Sequence, residues 1–245
     1  MNKKLAFALG AIVCLCFCSN AKTSTFPVKL PLKSYAAYCQ KAFDITISTP
    51  NGFADMEKMG AYSPFSKNGN VAPTCVMGAF AKSNDGQCVV MFADLRFPLS
   101  KAENPNGTLS EKAANFLAWA TSASGYNISR QPTVNLNDCA TFLPANKFNA
   151  DSAITVSMPT NGETLDGTNY TTCTQLLLKK TGRPIIEVSI LFTDKGAANK
   201  QQYLDSIFKA VKFGNAANWI YDKATDKAAS EKYLKPWNNK LSIAK

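Results

Sequence analysis

The sequence predicts an α+β domain in which helices cover an antiparallel sheet, and three stretches carry that expectation. YTTCTQLLLKK from Tyr170 and PIIEVSILFTD from Pro184 are extended apolar runs on either side of a Thr181-Gly182 turn. Residues 199–213 follow with Tyr203, Leu204, Ile207, Phe208 and Val211 at helical spacing. A strand pair and a helix laid over it bury each other's apolar faces. Upstream, residues 74–83 and 87–97 surround Asn84-Asp85-Gly86, and Asp-Gly is the pair a type I′ hairpin favours.

The chain opens with the cationic Met1-Asn2-Lys3-Lys4, and Leu5 to Cys18 carry no charge, the pattern of an export leader too short to span a bilayer. AIVCLCFCSNA at 11–21 then poses a choice. Ser19-Asn20-Ala21 places small residues before a cut at Lys22, which fits release after 1–21. The alternative is acylation of Cys18, for which Leu15 matches a bacterial lipoprotein box and Cys16 and Phe17 do not. Cys14 and Cys16 read as apolar filler. Any membrane attachment is expected only through lipid at Cys18; the location is otherwise the periplasm or the exterior, or the outer membrane if Cys18 is acylated.

Beyond the leader, the basic excess (27 Lys+Arg against 17 Asp+Glu in the whole chain) favours acidic partners such as an anionic glycan or an envelope protein. The lysines are scattered and arginines are few, so no nucleic-acid footprint is present. Histidine is absent, which excludes imidazole bases, Ser–His–Asp and Cys–His nucleophiles and the usual zinc sites. No glycine-rich phosphate loop and no calcium-loop motif occurs, so neither a cofactor nor a metal is expected. Cys39, Cys75, Cys88, Cys139 and Cys173 have long irregular spacings, and their odd number leaves at least one unpaired.

Taken in order, residues 22–37 read as a linker, Pro- and Lys-containing and without clear periodicity at their start. Phe43, Ile45 and Ile47 then alternate with Asp44, Thr46 and Ser48 up to Pro50-Asn51-Gly52, a half-buried strand and turn. Residues 54–73 read as an irregular loop. In the second hairpin strand, Val89, Met91, Ala93, Leu95 and Phe97 form the expected core face, leaving Cys88, Val90, Phe92, Asp94 and Arg96 on the other. Thr108-Leu109-Ser110-Glu111 fits a capping box that opens a helix striped by Leu109, Ala113, Phe116, Leu117 and Ala120. After further loop signals a short strand is expected at 153–158, and Gly214 is positioned to stop the last helix of the domain. Residues 215–245 form a lysine-rich extension whose middle is helix-compatible until Pro236, with Trp219, Tyr221, Tyr233 and Trp237 expected to pack on the domain or to bind a partner.

FDITISTPNGF, the central hairpin and helix, and YTTCTQLLLKKTGRPIIEVSILFTD leading into YLDSIFKAVKF together resemble the Mog1/PsbP-like sandwich, a family that includes periplasmic DcrB-like proteins. The resemblance spans 38–214. It implies an α+β sandwich and an accessory or binding role without a shared catalytic site, and it transfers no functional residue.

No catalytic residue is expected, and the sequence points to an exported, non-catalytic accessory or binding protein of the bacterial envelope. The alternative is a carboxylate- or thiol-dependent envelope hydrolase. For it, Asp94 and Arg96 share one strand face and Glu187 sits on a later strand, so a polar cluster would form if those strands adjoin. Candidate binding residues are therefore Asp94, Arg96, Glu187, Trp219, Tyr221 and Trp237.

Overall fold

A computed structural model of the chain describes residues 28–62, 75–95, 140–216 and 219–243. The leader, the capping box at Thr108 with its helix, and most of the irregular 54–73 stretch lie outside them.

The chain begins with β1 (Val28–Lys29), α1 (Leu32–Phe43), β2 (Ile45–Ile47), β3 (Phe53–Asp55) and β4 (Lys58–Tyr62). The hairpin strands β5 (Cys75–Ser83) and β6 (Cys88–Ala93) follow, and then β7 (Ala140–Phe142), β8 (Ser152–Leu165), β9 (Thr168–Lys179) and β10 (Ile186–Phe192). The chain continues through α2 (Asp194–Ala198), α3 (Lys200–Lys209), β11 (Val211–Phe213), α4 (Lys223–Tyr233) and α5 (Lys235–Ile243). Nine strands among the described residues make one antiparallel sheet in the order β1-β4-β5-β6-β10-β9-β8-β7, with β3 also paired to β5. β2 and β11 form a separate antiparallel pair.

The α+β class and the antiparallel sheet are as expected, while local readings change: β4 (Lys58–Tyr62) forms inside the stretch read as a loop, β8 runs on to Leu165 past the short strand expected at 153–158, Phe43 ends α1 instead of starting a strand, and four further changes have a clear physical reason. The helix α1 begins inside the stretch read as a linker. Tyr35, Tyr38, Cys39, Ala42 and Phe43 form its buried stripe, and its Leu32 N–H donates to Asp55 Oδ2 at 2.7 Å. Pro31 stands just before it, a residue that starts helices as readily as it marks linkers.

β6 is buried on both faces. Cys88, Val90 and Phe92 join the core under α1, while Val89 and Met91 join a second cluster with Leu177 and Leu191. An alternating pattern implies one wet face only for a strand whose other side lacks cover, and the central strand β6 has apolar residues throughout. In its hairpin, Gly86 alone of the turn residues has positive φ, at 73°. A type I′ turn needs two such residues, so the Asp-Gly pair serves a turn that ends in a left-handed glycine.

The third change concerns the last helix of the domain. α3 ends at Lys209, and Val211–Phe213 instead pairs with β2, Val211 opposite Ile47 and Phe213 opposite Ile45. Gly214 is therefore no helix stop. A Cβ there would stand 1.9 Å from Asp44 Oδ1, so glycine permits the close approach of that carboxylate.

Last, Pro236 lies in the first turn of α5 rather than ending the helical stretch. α4 is capped by Asp222, which accepts from the Ala224 and Thr225 N–H groups. Ala229, Leu234 and Trp237 of the C-terminal stretch belong to the same core as α1. Tyr38 and Tyr221 both donate to the Asp226 carboxylate at 2.7 Å, tying α4 to α1. No helix among the described residues is long and apolar enough to cross a membrane.

The tyrosines give the fold an alkaline limit. Burial holds Tyr35 well above the ordinary phenol value and pushes Tyr170 up to about 12. Desolvation, with a hydrogen bond to Asp85 or Asp226, does the same to Tyr203 and Tyr221. Phenols that ionise later in the folded chain than in the unfolded one leave stability intact below pH 10 and remove it as pH rises toward 12. In an alkaline titration, tyrosinate absorbance and loss of circular dichroism should rise together in that window. Tyrosinate formed well before unfolding would contradict this.

Candidate binding groove

The two carboxylates of the expected polar cluster do not come together. β6 and β10 are neighbours, with Phe92 opposite Val188, but alternation puts the two carboxylates on opposite faces. Asp94 is buried beside Tyr35 of α1, where after burial and Cys39 it helps disfavour the phenolate. Glu187 alternates with Ile186 and Val188 of the α1-side core and pairs with Leu177, which belongs to the other cluster. Arg96 lies outside the described residues.

The aromatic candidates separate as well. Trp237 is 5% exposed and part of the core, which removes it from any binding surface. Trp219 lies against the Arg183 guanidinium, 4.6 Å from carbon to ring centre. Tyr221 stacks on Phe43 with ring centres 6.4 Å apart, next to the exposed Ile220.

The thiols offer little to a nucleophile. Cys39, Cys88 and Cys173 are buried, and burial pushes Cys173 up to about 12 and raises Cys88 as well. Among the described residues no group of three or more Cys, Asp and Glu side chains is placed to hold a metal ion.

The structure instead brings polar side chains together where α1 ends. Asp44 closes the helix in the left-handed conformation, φ 51° and ψ 48°, a region that Asp tolerates better than most residues. Its Oδ2 accepts both Nη1 and Nη2 of Arg183 at 3.1 Å and the Ala216 N–H at 3.1 Å. Arg183 also donates to the Phe43 carbonyl at 2.8 Å and to the Ala216 carbonyl at 2.9 Å, and its side chain is 3% exposed. One guanidinium thereby joins α1, the turn between β9 and β10, and the chain after β11.

Above this pair opens a groove of about 470 Å³. Gln40 and Thr46 line one side, with Thr46 Oγ1 donating to Gln40 Oε1 at 3.0 Å and Gln40 Nε2 donating to Asp44 Oδ1 at 3.1 Å. Asn149, itself left-handed at φ 49°, donates from Nδ2 to the Gly214 carbonyl at 2.7 Å and to Asn215 Oδ1 at 2.8 Å. Lys180 Nζ fixes the Asn149 carbonyl from beneath at 2.9 Å. The floor is thus ordered by its own hydrogen bonds.

Lys147 and Lys212 complete the lining. In β11 alternation buries Val211 and Phe213 and turns Lys212 outward, opposite Thr46 of β2. Both lysines are exposed, and neither forms an ion pair among the described residues. Two ammonium groups without an ion pair among the described residues, over a floor of amides, a hydroxyl and the Arg183-paired Asp44 carboxylate, suit a ligand with many hydroxyls and negative charge. None of these groove residues was singled out as a site from sequence. They come from three widely separated stretches, 40–46, 146–149 and 212–215, with no local motif, and the left-handed Asp44 and Asn149 leave no sequence signature.

Comparison with known proteins adds no relative to this geometry: no family model matches the chain, and no curated protein matches it.

Proposed function

We propose that this is an exported binding protein of the bacterial envelope that holds an anionic glycan along the groove at the end of α1. The observation that carries the reading is the pair of exposed lysines, 147 and 212, which have no carboxylate partner among the described residues and stand over the polar floor. Export rests on the leader at 1–21, and the Mog1/PsbP-like sandwich is the finer fold assignment that accompanies this role. Rigid elements bearing polar turn residues at one end are a common arrangement for recognition.

Retention on immobilised polygalacturonate tests the reading. The protein should be retained at low salt and released as added salt screens the contacts. A neutral, carboxyl-reduced form of the same polymer should retain it at least about 10-fold less, as expected when electrostatic complementarity selects the partner. Lys147→Glu with Lys212→Glu should lose about as much. Equal retention of both polymers, or an unaffected double variant, would remove the groove from the account.

A further inference from the structure

At the far end of α3 from the groove, Lys200 opens the helix with its ammonium nitrogen 6.0 Å from the centre of the Phe192 ring. Its Nζ donates to Ser157 Oγ across 2.6 Å. Ser157 stands on β8 directly opposite Thr174 of β9, and the two hydroxyls are hydrogen-bonded at 3.0 Å. Thr174 is fully buried, so the serine hydroxyl is held from two sides, by an amine and by a fixed hydroxyl.

The surroundings work against the charged amine. Lys200 is half-buried and forms no ion pair with a carboxylate among the described residues. Desolvation lowers its pKa, against a small opposing effect of Cys173 on β9. Asp194, six residues earlier in the chain, accepts from Thr171 Oγ1 at 2.7 Å. Asn199 provides no side-chain cap to α3, so the positive end of the helix also works against a charge at its first residue.

We propose that Ser157 and Lys200 form a nucleophile and base pair that cleaves carboxylic esters. Neutral Lys200 Nζ takes the Ser157 Oγ proton as Oγ bonds to the ester carbonyl carbon. The carbon–oxygen bond to the alcohol then breaks, and the leaving oxygen takes the proton from Nζ, which leaves an acyl-serine. Water attacks that carbonyl and passes a proton to Nζ, and the acid departs as Ser157 Oγ regains it, so one ester and one water become one acid and one alcohol. An amine replaces the imidazole that this chain lacks.

The site is separate from the groove, since the ten residues of α3 span about 15 Å. It therefore needs its own test: exposure of the full-length protein to a fluorophosphonate probe. With this probe Oγ bonds to phosphorus, fluoride leaves, and the proton passes to Lys200. One adduct mapping to Ser157 is expected by mass spectrometry, forming faster as pH rises through a midpoint below the ordinary lysine value. Ser157→Ala should carry no adduct. Lys200→Met should slow labelling about 100-fold, the scale of a lost general base. Lys200→Arg is a permanent cation of similar length that cannot serve as the base, so it should slow labelling equally, with circular dichroism showing that the variant is folded. Absence of an adduct on Ser157 in the folded protein, or an unchanged rate in Lys200→Arg, would overturn the assignment.

Discussion

Replacing Arg183 with methionine is expected to lower the unfolding free energy by about 3 kcal/mol, the lower end of the range for breaking a buried ion pair by removing one partner. The lower end applies because the Asp44 side chain keeps 19% exposure, so water can partly solvate the abandoned carboxylate. The Phe43 and Ala216 carbonyls lose their donor in the same step, and the Trp219 ring loses the cation against which it packs. Arg183→Lys should recover about half, because one ammonium cannot reach all of these acceptors with the geometry of a planar fork. Urea denaturation would show a lower midpoint with an unchanged slope. A loss below about 1 kcal/mol would place the pair with ordinary surface salt bridges and would mean that the groove floor is held by something else.

Alanine at Gly78 is expected to be comparably damaging. The new Cβ would lie 2.2 Å from Tyr35 Cε2 and 2.3 Å from Cζ. The ring cannot retreat easily, because it is fully buried and its hydroxyl donates to the Ala93 carbonyl at 2.5 Å while accepting from the Leu95 N–H at 3.3 Å. Gly78 also sits where the register between β5 and β6 shifts, between Met77 and Ala79. Overpacking of this kind costs about 3 kcal/mol. A double-mutant cycle isolates the cause: Tyr35→Leu removes the ring, so the double variant should be about 2 kcal/mol more stable than the sum of the two losses implies. Strict additivity would show that the added methyl group meets something other than Tyr35.

Both effects arise where the chain meets itself across long separations, and sequence reading weakened at the same places. Strands β9 and β10 and helix α3 were legible because each pattern lies within a few neighbouring residues and the turn between the strands is short. The buried stripe of α1 was equally periodic, but two prolines and two lysines near its start resembled a linker. Alternation in β6 identified a strand and could not say that both of its faces are covered, since that depends on the order of strands in the sheet. The Asp94 and Glu187 cluster failed for a related reason: adjacency of two strands does not set which faces carry the two side chains.

By itself the sequence determined the α+β class, the principal hairpins and the lack of any imidazole chemistry, because composition and short-range periodicity suffice for these. Only the tertiary structure decided that Gly78 and Gly214 are sites of close approach and that Trp237 is core. It alone joined Asp44 to Arg183, 139 residues away, and Lys200 to Ser157, 43 residues away. The physical reason is that a carboxylate, an amine or a hydroxyl acquires its chemistry from what packs against it, and those neighbours are brought together by the fold rather than by position along the chain.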